Sequence, residues 1–543
     1  MVVAPPKFER AKGKASFERL SDEITSARYR EAAETYCRLI AEEDKPIKDV
    51  IRAAVSCAAP YVQVPSHLMQ KPDGESRGVN YDHTVLGWRG AISLMPHMST
   101  RRAALPTVQA MWYVPQGLNI WEQIICQFPG HYARDAEKCN DKYPGEDEEV
   151  NRFDGPSWTP PRVYFEDHEP ITQGSVDDRV LRFNWAISEG NKEEAYGLFL
   201  GLAQDPAHKK RLEEAVLFAG ITDLQDTVIN RGGYQNIGHK ALRARAMVDI
   251  AEYLGWENAH DIIYTVVPDL GCSPRLYGLW TEVNNLSKIE LSDLGDIPKR
   301  GIGPVDGPEL DSLTRAMLWG GPFEINAEIV RLYRRGHGSL DLLDAIAVAY
   351  QRYLMDVIEH PSAFLHPMHS FDYLNVVHKW VRDYDSRHHF KGAFMAARFS
   401  NDTIRANAMF PRDPKVELES RRVHREWADS LALDRLLGEL VRQILAEDAP
   451  RSCALVDSYL ERTGERRNLL DSITYAACHF QNDPHVMRNC MSTIEEFTVS
   501  QSPRRDDIIR GYAKVQSRYI KRAQIHEAFE LYANYFDPDG VER

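Results

Sequence analysis

Four of the nineteen histidines, His360, His366, His369 and His378, fall within nineteen residues between two strongly apolar helical patterns. Neutral imidazole is a common metal ligand and the side chain that titrates nearest neutral pH, so such a density points to metal binding or proton transfer. A helix ending near His360, a turn, and Pro367 as the first residue of the next helix would put His366 at the helix entrance and His369 one turn in. His369 and Asp372 then share a face. His378 lies nine positions after His369, which is about 180° around a helix of 3.6 residues per turn. It is therefore not a co-ligand of His369 on one straight helix.

Histidines recur in comparable places. An apolar helix, a turn, a histidine and a second amphipathic helix follow one another in Leu212–Val228 with His239, in Leu342–Val357 with His366, and in Leu469–Cys478 with His485. Ile47–Ala59 with His67 is a weaker fourth. The spacing drifts, so this is a loose repeat of helical hairpins and not a tight solenoid period. If the turns gather on one rim, His67, His239, His366 and His485 approach each other; otherwise each histidine braces its own turn. The expected metal ligands are His239, Asp261, His366 and His369, with Asp261 reached from the dipeptide His260-Asp261. His67, His83 and His131 are candidate further ligands or acid/base groups. Two or three imidazoles with one carboxylate suit non-haem iron first, with zinc or manganese also compatible. Haem held by histidine alone stays open.

The elements that must carry these residues are helices. Apolar residues recur at helical spacing over most of the chain, and alternating strands are nearly absent, so the expected fold is all-α: helical hairpins forming a large bundle or array. Residues 1–15 read as a flexible arm and 16–139 as an N-terminal helical region. The latter contains an aromatic stretch, Met111-Trp112-Tyr113 to His131, expected to be a buried connector or a lid and not a regular amphipathic helix. The acidic run Gly145-Glu-Asp-Glu-Glu149, followed by Pro156, Pro160, Pro161 and Pro170, marks 140–176 as a linker. Residues 177–535 form the main helical domain, with expected helices at 177–189, 191–204, 208–228, 239–254 and 257–267, and 536–543 are a tail.

Several chemistries are excluded. The eight cysteines form no Cys-x-x-Cys pair, and there is no Gly-x-Ser-x-Gly elbow. Gly301-Ile302-Gly303-Pro304 lacks the lysine of a P-loop, and the glycines from Gly232 to Gly238 do not follow a strand. A net charge of −14 argues against a nucleic-acid partner. No run of about eighteen apolar residues marks a membrane span, and the first ten residues do not read as a signal peptide, so the expected compartment is the cytoplasm.

Three elements, Gly238-His239-Lys240-Ala241, Leu254-Gly255-Trp256-Glu257-Asn258-Ala259 and Leu365-His366-Pro367-Met368-His369, resemble the questin-oxidase-like proteins and the helical regions that accompany some Rieske-type proteins. The likeness covers the middle third of the chain. It implies oxygen- or redox-dependent chemistry on an organic, aromatic substrate, although the cysteine and histidine pattern of a Rieske cluster is absent. The resulting expectation is a metal-dependent, histidine-ligated, non-haem oxidoreductase or oxygenase acting on a small organic molecule, as a homo-oligomer or with a redox partner protein. A non-catalytic helical-repeat scaffold and a metal-dependent hydrolase are the alternatives.

Overall fold

The computed structural model describes residues 15–25, 28–62, 68–70, 76–78, 83–115, 168–224, 238–264, 266–271, 276–356, 365–407, 414–479, 485–518 and 526–537. The fold is all-α. Among the described residues the only strands are Leu68–Gln70 and Ser76–Gly78, a three-residue antiparallel ribbon. No described helix is long and apolar enough to cross a membrane.

Helices form where the pattern places them, with local ends that explain their limits. Val176–Glu189 begins at Ser175, whose hydroxyl accepts from the Asp178 N–H, and ends at Gly190 in the left-handed conformation. Lys192–Ala203 follows, capped by Asn191. Lys209–Thr222 is shorter than the expected 208–228, because Asp223 leaves the helical conformation and turns its carboxylate to the Leu276 N–H and to Lys240. His239–Leu254 has the expected ends, and Trp256–Tyr264 succeeds it.

The first part of the aromatic stretch is buried, as a connector would be, and is helical without being amphipathic. Residues 105–115 are helical, and Met111, Trp112, Tyr113 and Val114 are all buried. A helix covered on every side shows no polar face, which is why its sequence does not look amphipathic. Residues 116–131, including His131, lie outside the described residues.

Four helices begin at or near candidate histidines: His83–Leu94, His239–Leu254, Leu365–Asp383 and His485–Val499. Each packs against two of the others in a closed ring, so the core draws on sequence from both sides of the 140–176 stretch. Core burial holds them in place: Trp88, Leu86, Leu242, Met247, Phe371, Leu374, Trp380 and Cys490 are all inaccessible. Removing each large apolar side chain from water is worth about 1.5–3 kcal/mol. Gly220 lets the helix Lys209–Thr222 press on His239–Leu254, since a Cβ there would lie 2.9 Å from the Ala241 Cα.

Candidate functional site: an imidazole cluster at three helix N-termini

Side chains on two of these helices pair rung by rung. His369 meets His485, Nε2 to Nε2, at 3.2 Å. Three residues further on, Arg488 Nε donates to Asp372 Oδ2 at 2.6 Å, and Asn489 Nδ2 donates to the same oxygen at 2.6 Å. Higher still, His378 Nδ1 donates to Glu496 Oε2 at 2.7 Å, while Asn375 Nδ2 donates to Glu496 Oε1 at 2.8 Å. The residue numbers rise together on both helices, so the two run parallel. A like argument holds for the third helix. His239 packs its ring beside His369, with centroids 5.2 Å apart, and Arg245 Nη1 donates to the Asn375 carbonyl at 2.8 Å. Three helices thus begin at one end of the core, and a histidine in the first turns of each turns inward.

Local sequence sets up each of these histidines. Gly238 takes φ +90°, a conformation that costs glycine little, and its missing Cβ leaves room for the Tyr373 ring. His239 follows as the first helical residue. Lys240, wholly buried, is tied to Asp223 in an ion pair that anchors the same turn. Helix Leu365–Asp383 starts two residues before Pro367, so the proline stands in the first turn, where its missing N–H has no intrahelical partner to lose. His485 opens its own helix. His369 and His485 are each 2% exposed.

The other end of the core is a closed ion-pair network. Arg89 Nε donates to Asp249 Oδ2 at 2.9 Å, and Arg245 donates to both Asp249 and Glu495. Burial raises the two carboxyls, and the guanidiniums of Arg245 and Arg89 outweigh it, so both lie below the ordinary carboxylate range. His378 bridges towards this end. Its Nε2 faces Asp344 Oδ1 at 3.7 Å, and Asp344 is held by Arg300 and by the Gln501 N–H. Burial pushes the Asp344 carboxyl up, against the pull of His378 and Arg300.

The sequence candidates are therefore distributed as follows. His239 and His369 come together, and His485, noticed only as a repeat position, completes the cluster. His366 is the second residue of helix Leu365–Asp383, His83 the first of His83–Leu94, and Asp261 lies in Trp256–Tyr264; their side chains are outside the described residues, as is the whole of His67. His378 points into another layer, as helical periodicity requires. Arg488 was missed. The available signal was its position three residues after His485, matching Asp372 three after His369.

An open cleft of about 840 Å³ lies elsewhere, lined by Trp185, Phe218, Tyr277, Trp280, Asn284 and His388 among others, and by none of the candidate residues. There, Lys391 donates to Asn284 Oδ1 at 2.7 Å and lies 3.1 Å from His388 Nδ1. Burial first, then nearby cations, push Lys391 down to about 8 and His388 down to about 4. The imidazole cluster, unlike this cleft, gathers candidate residues from helices distant in sequence.

Two imidazole nitrogens 3.2 Å apart fit a shared cation: bonds of about 2.0–2.1 Å from each to one metal ion give a separation of roughly 3 Å. Among the described residues no group of three or more histidine, cysteine, aspartate or glutamate side chains is placed so that it could hold a metal ion. The His369–His485 pair supplies two donors, and the His239 ring stands next to them. No family model, curated protein or solved structure matches this chain.

Proposed function

We propose that the protein is an enzyme whose reaction takes place at the imidazole cluster, as a histidine-ligated, metal-dependent oxidoreductase or oxygenase acting on a small organic substrate. The observation that carries this reading is the approach of His369 Nε2 and His485 Nε2 to 3.2 Å in a buried setting, from residues 116 positions apart. His239, whose ring lies beside His369, is the nearest described further donor, and His366, Asp261 and His83 remain candidates from the sequence. When bound, a first-row metal ion supplies redox or Lewis-acid chemistry; iron is the favoured ion, with zinc or manganese as alternatives.

The chain's own residues do the positioning. Three helices fix the rings, since each histidine sits in a packed first turn and not on a free loop. The buried surroundings exclude water and strengthen every electrostatic contact with a substrate. The resemblance to questin-oxidase-like proteins supports an organic, aromatic substrate with the same redox character.

The test is metal content. The full chain, purified without a metal-binding tag, is expected to hold about one equivalent of iron, zinc or manganese by elemental analysis, directly or after reconstitution. Replacing His369 and His485 together by Gln should abolish it while circular dichroism stays helical. Less than about 0.1 equivalent in the wild type under both conditions would remove the metal-dependent reading. The hydrolase alternative separates by spectroscopy: a redox-inert ion with no oxygen consumption on any aromatic substrate would favour it.

A further inference from the structure

Arg488 is fully buried, and its guanidinium is only half used. Nε is bound by Asp372, but Nη1 and Nη2 find no acceptor among the described residues, and neither does Asp372 Oδ1 find a donor. A buried guanidinium edge left without a partner loses its hydration for nothing and costs on the order of 1–3 kcal/mol per group. Native interiors rarely keep such groups without an ion, a water or a ligand to satisfy them. Here two of them lie side by side on the planar fork that matches a carboxylate.

The place of this arginine makes the omission meaningful. It sits one turn beyond His485, and its partner Asp372 sits one turn beyond His369. Side chains on a helix lean towards its N-terminus, so Arg488 and Asp372 lean towards the imidazole end. Three helices start there, and each N-terminus carries about half a positive charge that favours anions. The Asp372 carboxylate offsets the single charge of Arg488 and leaves the helix termini uncompensated. A metal dication would increase the positive excess.

We infer that Arg488 Nη1 and Nη2 bind an anionic oxygen pair of the substrate, a carboxylate or an acidic phenolate or enolate oxygen with its neighbour, and so hold an organic anion against the imidazole cluster. Asp372 and Asn489 are positioning residues: Asp372 Oδ2 accepts from both Arg488 Nε and Asn489 Nδ2 and so fixes the guanidinium. The inference rests on the proposed function for what happens to the anion, but the anion contact itself stands on Arg488 and does not require the metal.

The test uses carbon-13 formate as the probe, titrated into the full-length protein stripped of metal by chelation and, separately, metal-loaded, with affinity read from line broadening at constant ionic strength. Metal-free wild type is expected to show one saturable site. Arg488→Gln should weaken it about tenfold or more, the loss of a charge-assisted bidentate contact. Arg488→Lys, which keeps the buried charge opposite Asp372 but not the fork, should weaken it about fivefold, and decides the matter if the Gln variant does not fold. Equal binding by wild type and Arg488→Lys, or no saturable binding by metal-free wild type, overturns the inference and leaves the guanidinium to buried water. Formate binding that needs metal and ignores Arg488 overturns it while sparing the metal reading; Arg488-dependent binding in a protein that takes up no metal does the reverse.

Discussion

Helix Leu365–Asp383 carries two buried histidines nine residues apart, in contrasting company. His378 is clamped by Glu496 on one nitrogen and faces Asp344 on the other, inside a network of carboxylates and guanidiniums. His369 packs against the rings of His239 and His485. A carboxylate partner fixes an imidazole and commits its N–H, so His378 is part of the scaffold. His369 Nε2 meets His485 Nε2, and two imidazole nitrogens in contact can share a proton or, on the function proposed above, a cation. The difference teaches that histidine density alone does not mark a site; what each ring faces does.

The largest effect that would break this contrast is expected at Glu496. Glu496→Ala leaves His378 Nδ1 and Asn375 Nδ2 without their acceptor in a buried layer and should cost roughly 3–5 kcal/mol by urea unfolding. Metal content per folded molecule should not change. A loss under about 1 kcal/mol would mean that His378 is not held as described.

The next effect concerns acid. Asp249 and Glu495 lie below the ordinary carboxylate range in the folded chain, so the stability they confer is present above their unfolded values and is lost as pH falls through the lower folded ones. Unfolding free energy should hold level down to about pH 4, near the unfolded carboxyl values, and decline below. Glu495→Gln should lower stability at pH 7 and flatten that acid decline. An acid limb unchanged by the substitution would exclude the network as its source.

His369→Gln should separate the two histidines most sharply. Its stability cost should stay within about 1–2 kcal/mol, the loss of its contact with His485, while catalytic turnover falls by a factor of at least about 100 on the substrate, once found. The reverse pattern, a large loss of stability with activity kept, would exchange the roles of His369 and His378.

The smallest effect is a control one residue away. Ser370 turns from the cluster into another layer, 2.6 Å from the Tyr350 hydroxyl and 2.8 Å from Thr403 Oγ1. Ser370→Ala should cost about 1 kcal/mol and leave metal uptake intact. Loss of metal uptake would show that the helix start, and not the facing of its side chains, governs the site.

Much of the frame was legible in the residues. Apolar spacing gives helices, Gly238 and Pro367 mark where two of them begin, and 3.6-residue periodicity separates His369 from His378 before any packing is known. The burial of 105–115 was legible, but its helical form was not, because a helix buried on all sides loses the polar face by which a sequence reveals it. The repeat layout pointed to His485 approaching the other histidines, but not to His369 as its partner.

Partnership was the part that only the tertiary structure decided. A sequence sets which side chains share a face of one helix, because that is local geometry fixed by the backbone. It does not set which helix lies opposite, and His369 meets His485, Asp372 meets Arg488 and His378 meets Glu496 across more than a hundred residues of chain. Packing of the four-helix ring brings those faces into register. The same register leaves Arg488 Nη1 and Nη2 with no acceptor among the described residues.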